Sequence, residues 1–403
     1  MLRTGRVRPA ILGVALIPLL AGVVRGTAAT STRGGQQLVA LDRGATTNAL
    51  ADYLAAHHQT AEAYVVGLFE TRDVVFLGES HQTRQRELFL QRLIPLLYKA
   101  GVRTLGYEMA CSEDQAAIDA LVSAPAYDEA AAFTLLAHWD FSWPLQEYAD
   151  VYRAAWQLNH SLPPGAPRFR ILGIDIRPDF HRLPAGVDPM PALRPQVDPK
   201  AAEELRGLIV GGSDRDLVRN TRMAEILRRE VVSKGQKALM FNGSGHSTTK
   251  YLRPARSGPG KRMVVGYMIH QEIGARAVGV LLRGPSAPGT DPIPDAVAIG
   301  LGPGEESLGF TTRGSPVGAM TVTAGKETLR MEDFWDGLVF VSMKTPWKPA
   351  TANFRYLTDE AVKRAKAEGS LPDLPAITVD SLKKDVLDSL ARVAAQIKKG
   401  TGF

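Results

Sequence analysis

From residue 73 the chain alternates short apolar runs with amphipathic stretches. VVFLG (74–78) is followed by TRQRELFLQRLIPLLYKAG (83–101), where Leu88, Leu93, Leu96 and Leu97 recur near helical spacing. Gly101 suits a C-terminal cap there, and Pro95 is a candidate kink. VRTLGYE (102–108) reads as the next strand, and a mostly helical region follows to about residue 160. FRILGIDI (169–176) is a third strand and KALMFNG (237–243) a fourth, with a strong helix at 213–235 between them. ARAVGVLLRG (275–284) and GLVFVSM (337–343) complete six. Apolar runs separated by helices predict an α/β fold, a mainly parallel central sheet with helices on both faces. Residues 284–330 break the rhythm; rich in Gly, Pro, Ser and Thr, they read as an irregular excursion with at most short strands.

Composition is that of an ordinary globular chain, 45% hydrophobic and 22% charged over 403 residues, enough for a large core. The N-terminus changes the picture. Arg3, Arg6 and Arg8 precede the apolar run AILGVALIPLLAGVV, and small residues follow near Ala29. This reads as a signal peptide over 1–29, the competing reading being a single membrane anchor, for which the run is short. Residues 1–29 hold four Arg and no acid, so a formal charge of +6 becomes +2 without them. The basicity belongs partly to export, and nothing argues for nucleic-acid binding. The expectation is an exported protein, periplasmic or extracellular, with no stable membrane span once the signal is removed. Residues 30–47 read as a flexible leader, 48–350 as one α/β domain and 351–403 as a C-terminal helical extension. Cys111 is the only cysteine, so no intramolecular disulfide forms, and it reads as a buried small hydrophobe.

The chemistry gathers at strand ends. The first strand ends in Glu79 and His81, the second in Glu108, the third in Asp175, the fourth in His246. In open parallel sheets, ligands bind outside the carboxyl ends of the strands. Parallel strands would bring two imidazoles and three carboxylates to one rim. Such a set suits general-base activation of water by an imidazole paired with a carboxylate. It also suits a divalent cation held by His81, His246 and Glu108. The G-x-S-x-G elbow, the phosphate-binding P-loop and H-E-x-x-H are all missing.

At these residues the sequence resembles the superfamily of erythromycin esterase-like, ChaN-like haem-binding and TraB/Tiki proteins. GESHQTRQRELFLQRLI, WDFSWPLQEYADVYRAAWQLN, FRILGIDIRP, RNTRMAEIL and FWDGLVFVSMKTP, in that order over roughly 70–350, look most like the erythromycin esterase branch. GESH has the shorter ChaN/Tiki spacing, and Asn220 stands where the esterases usually carry Asp. The resemblance implies that His81 is the base that activates water and that Glu108 positions or polarises it. It implies that His246 is a second catalytic imidazole, that Glu79 orients the site, that Arg219 supplies positive charge, and that Asp175 holds an imidazole or that arginine. The expected activity is hydrolysis of an ester or related bond in a small molecule, with no cofactor required. The other branches imply binding of haem or another iron compound, with Tyr107 or His138 as axial ligand, or a metal-dependent peptidase. Structural readings compete at two positions: Arg219 pairing on a helix surface, and Asp175 capping the next segment.

Overall fold

The computed structural model describes residues 43–189, 199–210, 215–254, 261–324 and 327–400. The stretch read as a signal peptide and most of the leader lie outside these residues.

Seven strands form the central sheet: β1 Val74–Glu79, β2 Thr104–Cys111, β3 Arg170–Asp175, β4 Ala238–Gly243, β5 Ala277–Arg283, β6 Leu308–Thr311 and β7 Gly337–Phe340. Their order is β3-β2-β4-β1-β5-β7-β6, and only the β7–β6 pairing is antiparallel. Before β2 come α1 Arg43–His57, α2 Ala61–Leu68 and α3 Arg84–Lys99. The β2–β3 connection carries α4 Gln115–Leu121, α5 Glu129–Trp139 and α6 Gln146–Ser161. Helices α7 Pro199–Val210 and α8 Arg215–Glu230 lead into β4, and α9 Val265–Ile273 into β5. Helices α10 Pro292–Gly300, α11 Asp359–Ala367 and α12 Val379–Lys399 follow.

The apolar run of β1 divides between the two sides of the sheet, because successive side chains of a strand point to opposite faces. Val75 and Leu77 join Phe89, Leu93, Leu105, Tyr148 and Val151 in one cluster, under α3 and α6. Val74 and Phe76 join Leu172, Ile174, Met223, Ile226, Met240, Val265 and Ile269 in another, under α8 and α9. The sheet is therefore covered on both faces, as the continuous apolar runs require.

The stretch 284–330 is more regular than its composition suggests. It contains α10, the edge strand β6 and an antiparallel hairpin of Thr321–Ala324 with Glu327–Arg330. Pro292 occupies the first turn of α10, where a missing N–H costs nothing, and Asp291 caps that turn by accepting from the Ile293 N–H at 3.0 Å. Helix α1 begins at Arg43, inside the stretch read as leader. In the C-terminal region, Leu357, Val362 and Ala365 pack with Ile377, Leu382 and Phe141. Val386 of α12 joins the main core. Cys111 is fully buried and free, and burial, with Asp175, Asp114 and Glu113 nearby, pushes its thiol well above the ordinary value.

Candidate active site

Four adjacent strands, β3, β2, β4 and β1, end on one rim. Glu79 lies opposite Gly243 in the β1–β4 register. The β2–β4 pairing stops at Tyr107 opposite Phe241. One residue further, the Glu108 carboxylate bends across, and its Oε2 accepts the Gly243 N–H at 2.6 Å. A Cβ on Gly243 would lie 2.8 Å from His81 Nε2 and 3.5 Å from Glu108 Oε2. Glycine at this position leaves the room in which an imidazole and a carboxylate approach each other.

The six residues expected at the site come together. Arg219, on α8, bridges two acids: Nη2 donates to Glu108 Oε1 at 2.6 Å and to Asp175 Oδ2 at 2.5 Å, and Nε contacts both Asp175 oxygens at 2.9 and 3.0 Å. Asp175 therefore holds the arginine and no imidazole. Its Oδ2 also accepts the Trp139 Nε1–H at 2.7 Å. His246 Nε2 lies 3.5 Å from Glu108 Oε1, and its Nδ1 lies 2.8 Å from Asn220 Oδ1. That oxygen also accepts the Val265 N–H at 2.8 Å, so it faces two donors and His246 carries its proton on Nδ1. The Nε2 lone pair then faces the rim. His81 Nδ1 bonds Glu79 Oε1, which leaves Nε2 as its outward atom.

The two imidazoles are charged differently. Burial works against a charged His81, but Glu79 in direct contact and Glu108 beyond outweigh it and raise the ring to about 9. At His246 burial dominates, and with Arg219 opposing the pull of Glu108 the ring falls to about 4. Burial would raise Glu108, but His246, Arg219, His81 and the Gly243 N–H hold it well below the usual carboxylate range. At neutral pH the rim thus has a cationic His81, a neutral His246 and an ionised Glu108. His81 is the more accessible ring, with 32% of its side chain exposed against 6% for His246.

The loop after β1 is held under strain. Gln82 adopts φ +66°, a conformation costly for a residue with a side chain and common at functional sites. Its N–H donates to Tyr148 Oη at 2.6 Å, its carbonyl accepts the Ala350 N–H at 2.8 Å, and its side-chain carbonyl accepts Ser389 Oγ–H at 2.8 Å. Arg86, fully buried, donates to the Ser80 carbonyl at 2.5 Å and to Thr83 Oγ1 at 2.7 Å. Gln82, Arg86, Trp139 and Tyr148 are positioning groups that the strand-end pattern does not reveal. Arg86 left a signal: it falls on the same helical stripe as Phe89, Leu90 and Leu93, a charge at a core position.

A cavity of about 680 Å³ opens beside the rim. Trp139, Trp143, Gln82, Asp175 and Arg219 line its inner end, and residues of α12 line the opposite wall. The Trp143 ring stands edge-on to His81 at 5.4 Å, and Trp139 and Trp143 meet at 4.7 Å. Such a cleft suits a small molecule with an apolar body and a few polar groups.

Other ligand sets fare differently. Among the described residues, no three His, Cys, Asp or Glu donors converge as a cation requires, and the set His81, His246 and Glu108 is spread around a carboxylate already bonded by Arg219 and Gly243. Tyr107 does not reach the rim; it is fully buried on the far side of β2, with its hydroxyl 3.4 Å from Glu87 Oε2. His138 has both nitrogens engaged, Nδ1 by Asp114 at 3.0 Å and Nε2 by Glu368 at 3.5 Å. Neither fits as an axial ligand to haem iron. No helix among the described residues is long and apolar enough to cross a membrane.

Residues 65–166 match the sequence family described as haem-binding uptake, Tiki superfamily, ChaN. The chain is similar to this superfamily. The resemblance carried by the strand-end motifs therefore holds, and the matched segment contains Glu79, His81 and Glu108. No curated protein matches the chain. Among solved structures, a succinoglycan biosynthesis protein aligns over 79% of this chain and 100% of its own, with 10% identity and a TM-score of 0.53. A Bacillus cereus protein aligns over 76% and 99%, with 12% identity and a TM-score of 0.52. At such identities the likeness speaks for the α/β fold. An erythromycin esterase mutant in its open conformation aligns over 72% and 94%, with 14% identity and a TM-score of 0.46.

Proposed function

We propose that the protein is a hydrolase that cleaves an ester or related bond of a small molecule with imidazole-activated water and no covalent serine intermediate. One observation carries the reading: two imidazoles, His81 backed by Glu79 and His246 at 3.5 Å, flank a single carboxylate, Glu108, beside a cleft with aromatic walls. His81 is the base. Glu79 fixes its orientation and stabilises the imidazolium that forms when Nε2 takes a proton from water. Glu108 and the His246 lone pair hold the attacking water. Arg219 faces the charge that develops on the carbonyl oxygen, an interaction worth several kcal/mol in a dry site.

This assignment fixes a pH profile. His81 accepts a proton only when neutral, so turnover of chromogenic esters should rise with pH through a group titrating toward about 9. His81→Ala should abolish it. Turnover governed by a group near 4 and flat above it would transfer the base role to His246.

A second reading, binding of haem or an iron compound, is supported by the description of the matching family. A Soret band on titration with haem that survives in His81→Ala and His138→Ala would favour it. We also propose that the protein acts outside the cytoplasm, on the strength of the Arg-flanked apolar run at residues 3–24. Amino-terminal sequencing of the protein recovered from its cells tests that.

A further inference from the structure

We propose that the cleft takes a substrate bearing an anionic oxyacid group, a carboxylate on the hydrolysed molecule, and that Arg215 binds it; this rests on the hydrolase reading above. Arg215 opens α8, one helical turn before Arg219, and both line the cavity. Arg206, on α7, lines it as well. Two of these three guanidiniums have acids to bind. Arg219 is held by Glu108 and Asp175, and Arg206 lies 3.8 Å from Glu203. The half-buried Arg215 side chain makes no hydrogen bond or ion pair with the described residues.

Several acids of the cleft are held by other groups. Asp175 is taken up by Arg219 and Trp139. Asp216 pairs with Arg262. On α12, Asp388 pairs with Lys384 at 2.6 Å, and Asp140, next to Trp139, accepts from the Ser142 N–H and hydroxyl. Burial, with Arg219 and Arg206 adding repulsion, outweighs the pull of Asp175 and Asp216 and lowers Arg215 to about 10. A bound carboxylate supplies a direct partner, in the bidentate geometry that a guanidinium prefers.

The helix sets the spacing. Side chains four residues apart on a helix face lie roughly 5 to 6 Å from one another. With Arg219 at the reacting carbonyl, the carboxylate sits about that far away, the span of a glutarate-like chain. A neutral ester fills the apolar part of the cleft but leaves Arg215 unpaired.

The test has two arms. Calorimetric titration of the full protein with glutarate and with its uncharged diamide reads binding without turnover. Glutarate should bind at least tenfold more tightly, Arg215→Gln should erase the difference, and Arg215→Lys should keep most of it. Arg215→Gln should also melt at a higher temperature than the unliganded parent, because removal of an unpaired cation relieves repulsion; a merely structural arginine would give the reverse. Equal binding of the two ligands, or a preference that survives in Arg215→Gln, overturns the proposal. The second arm compares mono-4-nitrophenyl glutarate with 4-nitrophenyl pentanoate. Glutarate binding without turnover of either ester leaves the anion subsite standing and removes the hydrolase reading. Turnover of both esters at equal kcat/KM does the opposite.

Discussion

Asn220 is the position at which one substitution should change the chemistry most legibly. Its Oδ1 accepts from His246 Nδ1 and from the Val265 N–H, both at 2.8 Å. Asn220→Asp keeps the two bonds made by Oδ1, loses the Nδ2–H that Asn220 donates to the Asp216 carbonyl at 2.6 Å, and adds a negative charge beside the ring. Opposite charges about 4 Å apart attract by about 4 kcal/mol at an effective dielectric of about 20. That would move the ring by roughly 3 on the pH scale, and burial of the new carboxylate takes some of it back, so a rise of about 2 is expected. His246 should therefore titrate near 6 instead of about 4.

The consequence for stability has a definite sign. In the parent, His246 titrates below its value in the unfolded chain, about 6.5. The unfolded state therefore takes up the proton first as the pH falls, and stability is lost from about 6.5 down to about 4. That gap of about 2.5 amounts to roughly 3 kcal/mol, most of which the substitution should remove. Urea unfolding of parent and variant across this window measures the loss in each. The introduced carboxylate, buried beside the Asp216 carbonyl, takes up a proton in the same window and adds its own pH dependence, so the ring is also followed by itself. Carbon-detected NMR titration of the His246 ring gives the same quantity directly. Equal losses in both proteins, or a parent ring that titrates at its ordinary value, would refute the reasoning.

Glu79→Gln should act oppositely at His81. The raised ring contributes stability below about 6.5 that is lost as pH climbs through about 9, so the parent's melting temperature should fall over that window and the variant's should not. Gly243→Ala places a methyl 2.8 Å from His81 Nε2, and should cut ester turnover by at least about tenfold while circular dichroism stays native. Asp175→Asn removes one of the two acids that share Arg219, and should cost roughly 3 to 5 kcal/mol in urea unfolding, since it leaves a buried charge short of a partner.

The site was legible where a polar residue ends an apolar run. Glu79 and Asp175 could be named because each closes a strand, and Glu108 and His246 because each follows an apolar run, although β2 continues past Glu108 to Cys111 and His246 lies three residues beyond β4. Their neighbourhood could not, since the order β3-β2-β4-β1 is set by tertiary packing and leaves no local trace. Tyr107 shows the hazard of reading proximity from sequence: it adjoins Glu108, yet alternation along β2 sends it into the opposite face. Asn220 was visible only as a departure from a familiar pattern, and its meaning required the sight of its bonds to His246 and Val265. Helix α10 was hidden by Pro292 and Pro294, although Ile293, Ala296 and Val297 fall at helical spacing. The share of α12 in the cleft was not readable at all, because a polar helical face looks the same whether it meets bulk water or a cavity.

That last feature bears on how the molecule is made. Helix α12 contributes Ser381, Leu382, Lys384, Asp385, Asp388, Ser389 and Arg392 to one wall of the cleft. Translation completes Glu79, Glu108, Asp175, Arg219 and His246 before any of these. A nascent chain that has emerged only as far as Thr378 carries every charged group of the rim but lacks the part of the wall that α12 supplies. Its Gln82 also lacks the bond from Ser389. A ribosome stalled at that point would display the reactive groups to bulk water without the means to enclose a substrate. The order of synthesis thus delays the cleft until after the groups that would act in it.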